Sequence, residues 1–336
     1  MKNLKILVLF DSAGTPPDDQ NFEEEFKREE WLTEAFVIET LKKDGHEVKP
    51  LGIYDDITLF IKAKGEFEPD VVFNLTEIFN GKASQDKNIP SLCELLQVPY
   101  TGCSPVGLMI CNNKALTKKI LTYHRIKVPK FQIFRKNQKI WMPRRLKFPI
   151  IVKPLQEEAS VGIAQASFVE NEKDFAERIE YIYDKFDMPA LAEEYIEGRE
   201  LYASVLGNKK LDFFPLRELL FEEVPDDAPK LATYKAKWDH EYRKKWGIKN
   251  EYALRLPSDL PKKIQNICKI AYKALQLDGY ARFDLRVTPQ NEIYIIEANA
   301  NPALTINDEL AESAKKTNVT YDKLLQKIIN LGLQRG

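Results

Sequence analysis

Gly279–Pro302 reads GYARFDLRVTPQNEIYIIEANANP, and the fold is decided there. Two β-type runs, Tyr280–Val287 and Glu292–Ala298, flank Thr288-Pro289-Gln290-Asn291, whose Pro and Asn are turn formers. The stretch predicts an antiparallel hairpin. Such hairpins usually alternate an apolar and a polar face, and here Arg282, Asp284 and Arg286 share one side. Pairing Val287 with Glu292 sets Asp284 opposite Ile295, and the two-residue period puts Glu297 and Asn299 on that same side. Two carboxylates and an amide oxygen then converge beside an arginine, an oxygen-ligand set suited to a hard cation such as Mg²⁺. A hairpin whose solvated face merely carries charges fits the same letters, so the rest of the chain has to decide.

The chain has 336 residues, enough for two or three cores. Its 44% hydrophobic and 30% charged content is that of an ordinary soluble globular protein. A net charge of −1 removes the electrostatic footprint of a nucleic-acid binder. Cys93, Cys103, Cys111 and Cys268 show no C-x-x-C spacing, so a zinc site or disulfide framework is not expected and a cytoplasmic setting is. The apolar run of MKNLKILVLFD is interrupted by Lys5, ends at Asp11 and lacks a small-residue cleavage site, so it reads as a buried first strand. No segment approaches membrane-spanning length, and no membrane partner is expected.

Residues 1–103 alternate strand and helix: strands at Ile6–Phe10, His46–Ile53, Asp70–Leu75 and Val98–Thr101, helices at Glu30–Lys43, Asp56–Lys62 and Pro90–Leu96. The pattern predicts a doubly wound, mainly parallel sheet whose ligands gather beyond the strands' carboxyl ends. Two loops sit there, Asp11–Glu29 and Thr76–Lys87. The first holds Asp18, Asp19, Glu23, Glu24 and Glu25, mostly solvated charges of which one could meet an amine. Residues 104–196 form a second unit. A helix from Lys114 to His124 is capped by Asn112 or Asn113, strands follow at Phe131–Phe134, Phe148–Pro154 and Ile163–Val169, and a helix at Glu172–Asp184 precedes the extended Pro189–Ile196. Residues 197–336 form a third, with a strand at Leu201–Leu206, a long irregular stretch at Pro225–Asn250, a helix at Leu260–Leu275, the hairpin, and a helical tail at Tyr321–Leu331.

Lys153 ends an apolar strand before Leu155–Gly162, where Ala159, Ser160 and Gly162 would let backbone N–H groups approach a phosphate beside the lysine; a surface lysine before a turn is the plainer reading. The loop does not match G-x-x-x-x-G-K-[ST], which disfavours a Walker-type NTPase. Lys114 opens a helix against the macrodipole, a mild cost that hints at another purpose. Lys237 lies in the long irregular stretch, a setting typical of lids. Glu193-Glu194-Tyr195-Ile196 is an extended run whose backbone could meet a flat heteroaromatic edge; an edge strand with charged gatekeepers is the plainer reading. His46, His124 and His240 are scattered, and no nucleophile elbow supports triad hydrolysis. Tyr202, Phe213, Phe214 and Trp238 read as core or lid packing.

The order of these elements carries more than any one of them. Tyr100-Thr101-Gly102 is followed by Asn113-Lys114 with Thr117-Lys118, then Phe148–Pro154 ending in Lys153-Pro154, then Ala192–Ile196 with Gly198-Arg199-Glu200. Lys237, Ala281-Arg282-Phe283-Asp284 and Glu297-Ala298-Asn299 complete the series. It resembles the ATP-grasp superfamily, most closely its D-alanine–D-alanine-ligase-like branch, over about residues 89–336. The resemblance implies an α/β ATP-grasp fold, with the N-terminal doubly wound domain followed by two α+β subdomains that sandwich ATP. Lys114 and Lys153 would contact the α- and β-phosphates with Ser160 nearby, Glu193, Glu194, Tyr195 and Ile196 would read adenine, and Glu200 would hold the ribose. Lys237 would reach the terminal phosphates, Asp284, Glu297 and Asn299 would hold Mg²⁺ (or Mn²⁺ in its place), and Arg282 would stabilise the oxyanion of a tetrahedral intermediate. The implied reaction joins a small-molecule carboxylate to an amine through an acyl phosphate, in a protein that can be a homodimer.

The substrate half departs from the branch. Its Gly-Gly-x-Ser-x-Glu after the first strand is Asp11-Ser12-Ala13-Gly14-Thr15-Pro16-Pro17 here, with no clear equivalent of the glutamate. The branch's serine before the Ser160 position is Ala159, and the tyrosine after the lid lysine is Trp238. Its Pro-Gly-Met-Thr-x-x-Ser is Pro302-Ala303-Leu304-Thr305-Ile306-Asn307-Asp308, where Asp308 would repel an acceptor carboxylate unless paired or protonated. The reading is therefore an ATP-dependent carboxylate–amine ligase for amino acids or small peptides other than two D-alanines. Its alternatives are a D-alanine–D-alanine ligase with an unusual pocket, and a catalytically idle nucleotide-binding regulatory protein.

Overall fold

The computed structural model describes residues 3–157, 160–225 and 228–335. The continuous apolar run of β1 (Lys5–Asp11) is buried from Ile6 to Phe10 because the strand is covered on both sides. α1 (Leu32–Lys43) leads to β2 (Glu47–Ile53), and α2 (Thr58–Phe67) to β3 (Val71–Asn74), in a parallel sheet of order β2-β1-β3. Side chains alternate along β1. Ile6, Val8 and Phe10 pack with Trp31, Val37, Ile38 and Leu41, whereas Leu7 and Leu9 pack with Phe60 and with Ile89 and Cys93 of α3 (Asn88–Leu95). The expected strand at Val98–Thr101 is only a bridge between Tyr100 and Val72. Pro99 has no N–H with which to continue a ladder.

α4 (Pro105–Cys111), which the sequence reading passed over, starts at a Ser104 cap with Pro105 in its first position. α5 (Lys114–Tyr123) follows, and Asn113 rather than Asn112 is its cap, accepting from Leu116 N–H at 3.0 Å. β4 (Phe131–Phe134), β5 (Ile150–Pro154), β6 (Phe168–Val169) and β7 (Ala190–Glu194) make an antiparallel sheet of order β4-β7-β5-β6. α6 (Glu172–Phe186) backs it with Phe175, Ile179 and Ile182. The strand expected at Ile163–Val169 shrinks to two residues, since Ser167 Oγ accepts from Ala164 N–H at 3.1 Å and coils the chain before it can pair.

The third sheet is built from β8 (Arg199–Leu206), β9 (Asp212–Phe213), β10 (Arg217–Phe221), β11 (Ile248–Tyr252), β12 (Tyr280–Val287) and β13 (Ile293–Ala300). Its order is β11-β10-β8-β12-β13, with β9 on β8. The stretch expected to be irregular holds α7 (Tyr234–Trp238), α8 (His240–Lys245) and β11. Thr233 and Asp239 cap the two helices, which are too short to show a periodic stripe. Asp226 and Asp227 of that stretch, like Ala159, lie outside the described residues. α9 (Leu260–Ala274) lays Leu260, Ile264, Cys268, Ala271 and Tyr272 against Leu201, Phe283, Leu285 and Ile295, covering one face of the sheet. α10 (Glu309–Lys315) and α11 (Tyr321–Leu333) return to the first sheet, where Leu310, Leu324, Leu325 and Ile328 share a core with Ile6, Val8 and Phe10.

The hairpin register corrects the expected one. Val287 pairs with Ile293 rather than Glu292, and Leu285 with Ile295. Continued unchanged, that register would put Glu297 opposite Phe283 on the apolar face. A β-bulge intervenes: Ile296 is extra in β13, Asp284 lies opposite Glu297, and Arg282 lies opposite Asn299.

Candidate active site

The sheet face away from α9 is polar. Across it run Arg282, Asp284 and Arg286 of β12 beside Ser204, Tyr202 and Glu200 of β8, with Glu297 and Asn299 of β13 on the other flank. Arg282 donates through Nε and Nη2 to the two oxygens of Asp284, at 2.7 and 3.1 Å, and its guanidinium lies 5.1 Å from the centre of the Tyr202 ring. Burial alone would lower the arginine's pKa, but Asp284 outweighs it and drives the pKa up. Asn299 Nδ2 donates to Asp284 Oδ1 at 3.1 Å. The amide's orientation is interchangeable, and turned over it presents its oxygen to the same place. Among the described residues no three His, Cys, Asp or Glu converge on a metal-sized gap, so a cation here would rest on two carboxylates and Asn299. The donor chemistry fits: these are hard oxygens, and Arg282 and Lys114 already sit on them as cations.

Three lysines face this sheet from the other lobe. Lys114 Nζ lies 2.8 Å from Glu297 Oε1 and also donates to the Glu157 carbonyl. Lys153 Nζ lies 2.5 Å, and Lys118 Nζ 2.9 Å, from the two oxygens of Glu193. Burial raises the pKa of Glu297, but Lys114, Lys153 and Lys237 reverse it and bring the carboxyl down to about 2. Burial likewise opposes charge on Glu193, and the two lysines overcome it and hold the group ionised below its ordinary value. Lys237, in α7, is thus close enough to act on Glu297.

The run expected to read adenine, Glu193, Glu194, Tyr195 and Ile196, lies at the end of β7, lining a cleft with Lys153, Leu231, Lys237 and Glu297. Glu194 N–H donates to Lys130 O at 2.9 Å and Tyr195 N–H to Pro149 O at 3.2 Å, so neither amide is available to a base; Ile196 is buried beside them. Glu200 is held by Arg286 Nη2 at 2.6 Å and by the Tyr202 hydroxyl at 3.1 Å. Ser160 lines the same cleft, with its hydroxyl engaged by the protein. Its hydroxyl donates to Ala232 O at 2.8 Å, and Tyr234 N–H donates to Ile163 O at 3.0 Å, so the loop after β5 and the segment leading into α7 are stitched together.

On the substrate side, Asp308 precedes α10 and sits within the electrostatic reach of Arg282; its burial raises its pKa. Two further carboxylates gather towards the same end, Asp11 at the tip of β1 and Glu34 in the first turn of α1. Asp11 Oδ1 accepts from Glu77 N–H at 2.7 Å, while Glu34 Oε2 is buried without a hydrogen-bond partner. Burial, with a smaller push from Asp11, raises Glu34 to about 7. Of the acidic loop, Asp18, Asp19, Glu23 and Glu24 are exposed.

Four residues of this arrangement were missed in the sequence. In the sequence Arg286 is on the polar side of the hairpin with nothing to mark its role, and Tyr202 reads as packing. Lys118 lies one helical turn after Lys114, on the same face. Glu34 falls three residues after Trp31 and four before Ile38, inside the apolar stripe of α1, and a carboxylate there is the signal that could have found it.

The C-terminal domain model of the D-Ala–D-Ala ligases matches residues 119–330. The D-alanine–D-alanine ligase of Pelotomaculum thermopropionicum is 30% identical over 76% of this chain and 78% of its own. The D-alanine–D-alanine ligase A of Bacillus cereus is 28% identical over 90% of this chain and 93% of its own. A crystal structure of the D-alanine–D-alanine ligase from Bacillus anthracis complexed with ATP superimposes with a TM-score of 0.76 at 23% identity, over 99% of this chain and 98% of that one.

Proposed function

The chain belongs to the D-alanine–D-alanine ligase family, with its ATP-grasp fold, and from that premise we propose that it is an ATP-dependent ligase joining a carboxylate to an amine on amino acids or small peptides other than two D-alanines. The observation that carries the nucleotide half is the facing pair of charge clusters, Lys114, Lys153 and Lys237 against Asp284 and Glu297. Phosphoryl transfer needs a transferring group positioned and its charge offset, and Lys114 and Lys153 are buried where that offset is strongest, with Lys237 half-buried beside them. A carboxylate oxygen of the first substrate attacks the γ-phosphorus, the bond to the β–γ bridging oxygen breaks, and ADP leaves. The amine nitrogen then attacks the acyl carbon, phosphate departs, and the nitrogen gives up a proton. Arg282 faces the oxyanion of that second step. Asp284, Glu297 and Asn299 would hold Mg²⁺ or Mn²⁺, which when bound further offsets phosphate charge.

The substrate departure rests on Asp308, Glu34 and Asp11. A carboxylate at the Asp308 position repels an acceptor carboxylate and attracts an amine. A phosphate-release screen of amino acids and small peptides with Mg²⁺ and ATP, read together with product masses, tests this. We expect turnover with a substrate other than D-alanine, and loss of that turnover in Glu297→Ala with the melting curve retained. Efficient release with D-alanine alone, giving the D-alanine dipeptide, would establish the second reading, which the names of the relatives favour. ATP binding without turnover on the whole panel would make the protein a nucleotide-binding regulator.

A further inference from the structure

Lysine is among the residues least tolerated in an interior, yet Lys118 is 1% exposed. It does not line the cleft itself but lies behind it, against two residues that do, Ile296 and Glu193. Its ammonium donates to the Ile296 carbonyl at 2.8 Å and pairs with Glu193 Oε2 at 2.9 Å. Each contact has a consequence elsewhere. Ile296 is the extra residue of the bulge that restores Glu297 to the side of Asp284. Glu193 in turn holds Lys153 at 2.5 Å. The bulge has a second anchor, Ile295 N–H to Lys127 O at 3.0 Å, so the hairpin does not depend on Lys118 for its pairing. What depends on Lys118 is where the bulge carbonyl points and how far β13 stands from β7.

We propose that Lys118 is a positioning residue that sets the metal-side strand against the nucleotide-side strand, one hydrogen bond orienting the bulge before Glu297 and one ion pair orienting Glu193 and, through it, Lys153. The assignment rests on the nucleotide and cation reading given above. A methionine of similar length fills the same volume but can make neither contact. Binding of Mg²⁺ and of nucleotide are then coupled through this ammonium, and removing it weakens the coupling rather than the fold alone.

The test is calorimetric titration of ADP into the full chain, with Mg²⁺ and with EDTA, for the wild type, Lys118→Met, Glu297→Gln and the double variant. We expect Mg²⁺ to tighten ADP binding in the wild type. In Lys118→Met that Mg²⁺ enhancement falls at least fivefold and metal-free ADP affinity falls severalfold. Adding Glu297→Gln to Lys118→Met lowers the enhancement less than it does alone, because both act on one carboxylate. An unchanged enhancement in folded Lys118→Met overturns the proposal, as does a lowered melting temperature with both affinities intact. Should Lys118→Met not fold, a crystal structure of the wild type with Mg²⁺ and ADP decides: the proposal requires Lys118 on both Ile296 O and Glu193, and a released Lys118 with Glu297 in place refutes it. A wild type that binds no ADP at all fails at the nucleotide reading, which is a different result.

Discussion

Glu34 is a carboxyl that is easier to keep protonated in the folded chain than in water. Its pKa stands near 7 against an ordinary 4.5, with burial the main cause. The folded state therefore binds the proton more tightly than the unfolded one. Its favourable share is present in full below pH 4.5 and is lost as pH rises through 7. Glu34→Gln should accordingly leave stability unchanged at pH 4 and raise it at pH 8 by up to ~3 kcal/mol, measured by urea unfolding at the two pH values. No gain at pH 8 would mean that the carboxyl is ionised at little cost. Arg286 makes the opposite kind of statement, since its fork reaches Glu200 and the carbonyls of Gly198 and Lys230 together. A lysine cannot reproduce that planar set, so Arg286→Lys should weaken ATP binding about tenfold, roughly 1.4 kcal/mol, in a nucleotide titration. Both residues were legible as oddities of pattern, an acid inside an apolar stripe and an arginine on a strand face. Neither could be placed without the fold, because what surrounds them, Asp11 near Glu34 and Glu200 against Arg286, lies far off in sequence.

At the scale of elements, the hairpin was readable because its period and turn residues are local. Its bulge was not. Ile296 carries no mark in the sequence, and the groups that meet the bulge, the Lys118 ammonium and the Lys127 carbonyl, arrive from the chain after α4. The short helices α7 and α8 escaped for a related reason, as their caps say more than their periods do. The turn that joins β7 to β8 is equally specific. Gly198 has φ +146, and a Cβ there would lie 2.2 Å from the Val287 carbonyl oxygen, which belongs to the backbone and cannot swing away. Gly198→Ala should therefore cost more than ~2 kcal/mol in thermal or chemical unfolding and should also weaken nucleotide binding, since the same turn presents Glu200. An alanine variant with wild-type stability would show that β8 can shift along β12.

At the scale of the molecule, the ATP-grasp order could be read because weak signals recur in a set sequence, and the parallel sheet because strand and helix alternate. How the first sheet meets the last helices could not. Its core residues are shared with α10 and α11, and the joint is fixed by Arg335, which pairs with Asp278 at 2.8 Å and donates to the Tyr100 hydroxyl at 3.1 Å and to the Gly102 carbonyl. Arg335→Ala leaves Asp278 and that carbonyl short of a donor, and the expected cost is ~1–3 kcal/mol, read as a fall in melting temperature. The loop after β5 and the segment leading into α7 are fastened to each other by Ser160 and Ala232, and again by Ile163 and Tyr234. That fastening has a kinetic meaning. If a nucleotide enters only when the pair parts, stopped-flow association rates should level off at high ATP instead of rising in proportion, with the plateau reporting the opening step. Ser160→Ala removes one of the two fasteners and should lift the plateau.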